Sequence, residues 1–354
     1  MSLRKLGWDQ FYIGNFEALN KPGCFAGRVT MEHMHLYQIQ SEMGEYVAVI
    51  SGKMRHEAYR REDYPAVGDW VAWSPMDGEK RGVIHAVLPR KSKFSRKVAG
   101  NTVEEQIVAT NVDTLFLLNS LNHDFNPRRM ERYLILAWES GANPVIVLTK
   151  SDLCTDIEDK INQMAAVAPG VPILTISSLL NEGMEALDSY LIAGQTIALL
   201  GSSGVGKSTL INFLLGEELQ EVKEVRGGDD RGKHTTTFRQ LFLLPNGAMM
   251  IDTPGMRELQ LWQGSEGIKD QFNEIEELAA QCYFNDCSHG REPECAVQLA
   301  IHQGTLEIER YESYLKLQRE LRYMATKEND KLRFQEKERV KRLHTQQKNH
   351  KSMR

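Results

Sequence analysis

The base-reading motif of this chain comes before its phosphate-binding loop. Thr149-Lys150-Ser151-Asp152 closes one apolar run, and Gly201-Ser202-Ser203-Gly204-Val205-Gly206-Lys207-Ser208 closes a later one. The second motif fits G-x-x-x-x-G-K-[ST] between a strand and a helix. Its glycines let backbone N–H groups wrap phosphate, Lys207 reaches the β and γ oxygens, and Ser208, followed by Thr209, can reach Mg²⁺. In the first motif the Asp152 carboxylate can accept from both N1–H and the exocyclic amine of guanine, while the Lys150 stem lies along the ring. The usual order of these two motifs is the reverse. The chain is therefore expected to hold a circularly permuted nucleotide-binding domain.

Around these anchors other strand ends carry polar residues. Ser177-Ser178, after the next apolar run, stands where it can back up the base edge. Thr149 occupies a position more often held by Asn, so the brace an amide would supply is expected to be missing. A competing reading of Ser151-Asp152 is a plain helix cap. Asp252-Thr253-Pro254-Gly255 fits a γ-phosphate sensor, with Asp252 reaching Mg²⁺ through water and the Gly255 N–H facing the phosphate. Gly232-Lys233-His234-Thr235-Thr236-Thr237 resembles a switch loop, and Thr236 is the threonine chosen to close on Mg²⁺. Met256 follows Gly255 where a water-orienting glutamine is common, and a thioether cannot do that work. Either hydrolysis is slow until a partner arrives, or another polar group such as His234 takes the role, and the two options are compatible.

Five cysteines do not suggest a secreted disulfide framework, because three of them cluster. Cys282, Cys287, His289 and Cys295 supply the three thiolates and one imidazole that a tetrahedral structural Zn²⁺ prefers. Cys24 and Cys154 read as small apolar residues.

With 354 residues the chain exceeds one ordinary core. Five short alternating runs (28–33, 36–40, 46–51, 69–74 and 82–88) suggest a small closed barrel of OB type. Arg90, Lys91, Lys93, Arg96 and Lys97 then surround Phe94, a mix that suits a nucleic-acid backbone and equally a solvated linker. From 106 onward strands and helices alternate, with helices expected at 128–139, 155–167, 183–192 and 207–215, so a parallel α/β sheet is expected. Pro245-Asn246-Gly247 marks an antiparallel hairpin at its edge. The expected domains are 1–105, 106–265 and 266–354. The last ends in a polar helix striped by Tyr311, Leu315, Leu321 and Met324. Net charge is −5, yet residues 325–354 carry ten Lys/Arg against four acids, an asymmetry that favours a polyanionic partner. No apolar stretch approaches the ~18 residues of a membrane span, and the start has no signal-like apolar segment. A cytoplasmic protein is expected.

Taken together, these residues resemble the ribosome small-subunit-dependent GTPases, a bacterial circularly permuted family. The resemblance is carried by Arg90-Lys91-Ser92, Asn111-Val112-Asp113, Thr149–Asp152, Gly201–Thr209, His234–Thr237, Asp252–Gly255 and the Cys₃His spacing. It implies an N-terminal OB barrel, a permuted G domain and a C-terminal zinc-binding helical domain. It also implies GTP hydrolysis to GDP and phosphate on the immature small ribosomal subunit and its rRNA, with Mg²⁺ and one structural Zn²⁺, and a monomer. Residues 1–24 match nothing in it. Two rival readings remain at this stage: an RNA-binding module with a structural, unhydrolysed nucleotide, and a P-loop ATPase or kinase.

Overall fold

The fold is taken from a computed structural model, which describes residues 2–33, 35–76, 78–97, 105–216, 239–252, 265–290, 292–323 and 326. His234, Thr236, Gly255, Met256 and the basic run from 327 to 354 lie outside the described residues. Residues 2–24, unassigned from sequence, form a 3-10 turn (Leu3–Leu6) and helix α1 (Gln10–Ala18). The Asp9 carboxylate starts α1 by accepting from the backbone N–H of Phe11 and Tyr12.

Strands β1 (Phe25–His33), β2 (Leu36–Ser41), β3 (Gly44–Ile50), β4 (Trp70–Pro75) and β5 (Arg81–Val87) pair in the order β1-β2-β3-β5-β4, and β4 returns to β1. A short helix α2 (Gly52–Glu57) lies between β3 and β4. Alternation sends Val29, Tyr37, Ile39, Ala48, Val71, Trp73 and Ile84 into the barrel. This closed five-strand barrel is the expected OB type.

Strands β6 (Lys93–Lys97) and β7 (Glu105–Thr110) pair with each other. Of the strip read as suiting either a nucleic-acid backbone or a solvated linker, the aromatic points inward while Lys91 stays exposed and Arg90 and Lys93 are half-buried. Phe94 is buried, so it cannot stack on a base. Arg90 clamps Asp69 with Nε to Oδ1 at 2.8 Å and Nη2 to Oδ2 at 2.7 Å, while Lys91 pairs with Asp9 and Lys93 with Glu62.

Beyond them run β8 (Thr114–Ser120), α3 (Pro127–Ser140), β9 (Asn143–Thr149), α4 (Ile157–Val167), β10 (Ile173–Thr175), β11 (Thr196–Gly201), α5 (Lys207–Leu215), β12 (Arg239–Leu243) and β13 (Met249–Asp252). The order β10-β9-β8-β11-β13 is parallel throughout, and β12 joins β13 antiparallel. The helix expected at 183–192 is only a 3-10 turn, Met184–Leu187. Tyr190 and Leu191 N–H groups bond three residues back, to Leu187 and Asp188, so the apolar spacing is satisfied by turns. Met184, Leu187 and Leu191 still reach the core with Phe116, Val147, Leu199 and Met250.

The barrel and the α/β sheet are continuous. Strand β1 pairs with β12 through Met31↔Gln240 and Glu32↔Arg239, which makes one sheet of eleven strands. Arg28 is buried behind this seam. Its guanidinium donates to the carbonyls of Leu6, Gly68 (3.2 Å) and Asn111 (3.2 Å), to Thr196 Oγ1 (2.8 Å) and to Met249 Sδ (3.1 Å). All five N–H donors are thereby used, which is how a cation can be buried without a contacting carboxylate. Trp8 and Tyr12 cover Trp70 on the same outer face, with ring centroids 4.6 and 5.6 Å away. The chain accordingly clusters into two units, 1–96 with 105–260, and 97–104 with 261–354.

In the second unit, α6 (Ser265–Gln271) and α7 (Asn273–Ala279) precede α8 (Ala296–His302), and residues 308–323 are helical. The buried stripe of that last helix is Tyr311, Tyr314 and Leu317, where the sequence suggested Leu315 and Leu321. Arg310 turns inward beside this stripe, over the Phe272 ring at 4.5 Å, and binds Glu274 at 2.6 Å. Among the described residues no helix is long and apolar enough to cross a membrane.

Candidate nucleotide site and metal centre

Parallel pairing brings the motif-bearing strand ends to one edge of the sheet. Gly201 lies opposite Leu118, Thr149 opposite Ser120, and Thr175 opposite Leu148, all at carboxyl ends. Ligands of open α/β sheets bind at this edge. Asp252 ends β13 at the same side, next to β11.

The phosphate-type loop keeps its shape through two glycines. A side chain at Gly201 would meet Val205 Cγ1 at 2.9 Å and Leu118 O at 3.0 Å, and Gly206 has φ of 103°, which disfavours any other residue. Helix α5 then begins at Lys207, with Ser208 and Thr209 in its first turn. The Lys207 ammonium donates to the carbonyls of Gly201 and Ser202, both at 2.6 Å. Those two bonds fold the long side chain back along the loop. Ser203 and Gly204 complete the turn.

Across from this loop, Thr149 is buried and its Oγ1 donates to the Val205 carbonyl at 2.6 Å. The amide is absent as the sequence reads, and a hydroxyl ties this strand end to the loop instead. Lys150 takes the left-handed conformation (φ 59°, ψ 42°), which turns the chain sharply off β9 into the 3-10 turn Ser151–Leu153. Asp152 does not cap the following helix: its Oδ1 accepts from Ser177 Oγ at 2.6 Å, and Asp156 precedes α4. Ser177 is itself fixed by the Leu180 N–H at 3.1 Å and by backbone pairing with Glu182. Ser178 lies beside it, half-buried.

One contact had no sequence signal. Asp124, in the loop after β8, accepts from Ser202 Oγ at 2.6 Å and is gripped by Arg129. Burial pushes its carboxyl upward, but the bonds from Arg129 and Ser202 outweigh this and hold it below the usual carboxylate range. An acid and an arginine five residues apart resemble any solvated pair, so only the fold reveals the contact.

In the second unit, Cys282, Cys287, His289 and Cys295 converge, their ligand atoms all within 4.8 Å of one another. Cys282 Sγ lies 3.8 Å from Cys295 Sγ, and His289 Nδ1 lies 3.4 and 3.5 Å from the two sulfurs. Ligands at zinc distances from one tetrahedral centre stand roughly 3.8 Å apart for S···S and roughly 3.5 Å for S···N. The donor set thus fits Zn²⁺ in both chemistry and spacing. The His289 carbonyl accepts from Gln298 Nε2 at 2.7 Å and from Tyr311 Oη at 3.1 Å, which fixes this ligand. Glu292 staples the same loop: bonds from the Ser288 hydroxyl and the loop N–H groups draw its carboxyl down to about 2.

A parallel α/β sheet with a phosphate-type loop on β11 and a base-type motif on β9 defines a circularly permuted P-loop GTPase fold, here joined to an OB barrel and a helical Cys₃His element. Comparison with known proteins agrees. The family model described as RsgA GTPase matches residues 87–262. The chain is 50% identical over 303 residues to a small ribosomal subunit biogenesis GTPase RsgA 2 of Lactiplantibacillus plantarum, covering 86% of this chain and 85% of that one. It is 45% identical over 353 residues to the RsgA of Opitutus terrae, covering 97% and 96%. The crystal structure of YjeQ from Thermotoga maritima superposes with a TM-score of 0.62 at 30% identity, covering 84% of this chain and 98% of that one. YloQ, a circularly permuted GTPase at 21% identity with a TM-score of 0.58, shares the fold. The chain belongs to the RsgA GTPase family.

Proposed function

We propose that this chain binds GTP at the carboxyl edge of its α/β sheet and hydrolyses it to GDP and phosphate when it meets the maturing small ribosomal subunit. The observation that carries the reading is the 2.6 Å bond from Thr149 Oγ1 to the Val205 carbonyl, which ties the base motif to the phosphate loop. In this reading Lys150 and Asp152 read guanine, with Ser151 in the turn, and Ser177 and Ser178 support them. The run Gly201–Thr209 holds the phosphates through backbone N–H groups and Lys207. Ser208 and Asp252 offer the hard oxygen donors that Mg²⁺ takes, and Thr236 joins them. Held by these residues, Mg²⁺ would supply positive charge against that developing on the phosphate oxygens. Gly255 faces the terminal phosphate, and His234 orients the attacking water in place of the absent glutamine.

In this reading barrel 1–105 and tail 325–354 contact rRNA, residues 106–265 time release, and residues 266–354 hold one structural Zn²⁺. Small-subunit specificity is supported by the names of the L. plantarum and O. terrae relatives. The protein acts as a cytoplasmic monomer. Phosphate release measured against a titration of free small subunits, large subunits and whole ribosomes tests this. Stimulation by small subunits is expected. Equal rates with and without them would overturn it.

A further inference from the structure

The carboxylate of Asp124 lies outside every motif described above, yet it touches the phosphate loop. Its Oδ2 accepts from Ser202 Oγ at 2.6 Å. Arg129 holds it from the other side, with Nη1 to Oδ2 at 3.1 Å, Nη2 to Oδ1 at 2.8 Å and Nη2 to the Asp124 carbonyl at 2.6 Å.

The loop that carries Asp124 is anchored at both ends. Asn126 caps α3 by accepting from the Arg129 N–H at 2.9 Å, and its carbonyl accepts from Asn119 Nδ2 of β8 at 3.0 Å. Asn122 Oδ1 accepts from Ser120 Oγ at 2.8 Å and from the Asp124 N–H at 3.0 Å. An unbroken set of bonds therefore runs from β8 through Asp124 to Ser202. A bare carboxylate near a phosphate site would repel the ligand; the two-bond grip of Arg129 supplies the compensating charge.

We infer that Asp124, neutralised by Arg129, is a positioning residue that fixes the phosphate loop through Ser202. The inference rests on the nucleotide reading above. An ionised carboxylate can only accept, so the Ser202 hydroxyl must point its proton at Asp124, and the loop backbone at Ser202 is set before phosphate arrives. The side chain acts on the loop and touches no reacting atom.

Affinity for a fluorescent GDP analogue, read on the full chain, tests this. Asp124→Ala and Ser202→Ala are each expected to weaken binding about tenfold, the size of a lost charged hydrogen bond. The double variant should be no worse than either single one, because both remove the same bond. Asp124→Asn keeps an acceptor and should stay within about threefold of the parent. Additive losses, or wild-type affinity in Asp124→Ala with only a lowered melting temperature, would overturn the role. If Asp124→Ala does not fold, Ser202→Ala and Asp124→Asn carry the same test. Lys207→Ala separates the two readings. Parent binding that survives Lys207→Ala removes the nucleotide site itself, whereas loss in Lys207→Ala with wild-type Asp124→Ala sinks the positioning role alone.

Discussion

Replacing Thr149 with Val removes one hydroxyl and changes almost nothing in volume. The lost group donates to the Val205 carbonyl at 2.6 Å, and both residues are buried, so water cannot take its place. A stranded buried acceptor costs about 1–3 kcal/mol, of which the added methyl returns a part, leaving a net loss of about 1–2 kcal/mol. In a unit of this size that lowers the melting temperature by about 2–8 °C. The carbonyl belongs to the loop that must hold phosphate. To the extent that nucleotide re-imposes the loop shape, the same energy appears as about five- to thirtyfold weaker GDP and GTP binding. The assay is titration of the variant with a fluorescent guanine nucleotide, alongside a thermal melt. Thr149→Asn, which can donate from an amide, should bind within a few-fold of the parent. Wild-type affinity and an unchanged melt in Thr149→Val would refute the claim that this bond braces the site.

Lys207→Ala should abolish phosphate release while leaving the melting temperature within a few degrees, because its ammonium bonds to the Gly201 and Ser202 carbonyls stay within the phosphate loop; retained turnover would move the site. Asp152→Asn should weaken guanine nucleotides about ten- to a hundredfold and improve binding of xanthine nucleotides, and equal GTP affinity in a competition assay would remove Asp152 from base recognition. Elemental analysis should find one zinc per chain, lost in Cys287→Ala together with the melting transition of the second unit; a metal-free chain with that transition intact would defeat the structural role. Arg28→Lys should destabilise the first unit by about 3 kcal/mol or more in urea, since one ammonium cannot serve the acceptors that five N–H donors now reach. A loss under about 1 kcal/mol would mean that the neighbouring carbonyls find other donors.

The chemistry was legible in the sequence because it rests on local geometry. A glycine-rich turn before a lysine, a strand-end aspartate and clustered cysteines with a histidine each act within a few residues of themselves. Period-2 alternation likewise revealed the barrel. The same alternation also explains what was missed. It correctly turns Arg28 away from a barrel core that holds Val29, but it is silent about what lies beyond that outer face. Thr196, Asn111, Leu6 and Met249 arrive there from distant parts of the chain, and no spacing rule links them. Trp70 is the aromatic counterpart, facing out from β4 and then covered by Trp8 and Tyr12. The sequence left Arg90 and Lys93 open to a nucleic-acid surface or a solvated linker and was silent about their acidic partners, Asp69 and Glu62, which lie more than twenty residues upstream.

Sheet edges are where one chain can recruit another, since unpaired N–H and C=O groups template a new strand. Without β1, strand β12 would present five residues, Arg239–Leu243, as such a template. The barrel occupies the Arg239–Gln240 end of that edge, and the barrel itself closes through β4 on β1. The remaining outer strand of the eleven is β10, three residues long, too short to hold a neighbour. A lesion that peels β1 from β12 therefore does more than loosen a seam. It opens a sticky margin, and its first symptom should be turbidity that grows with protein concentration.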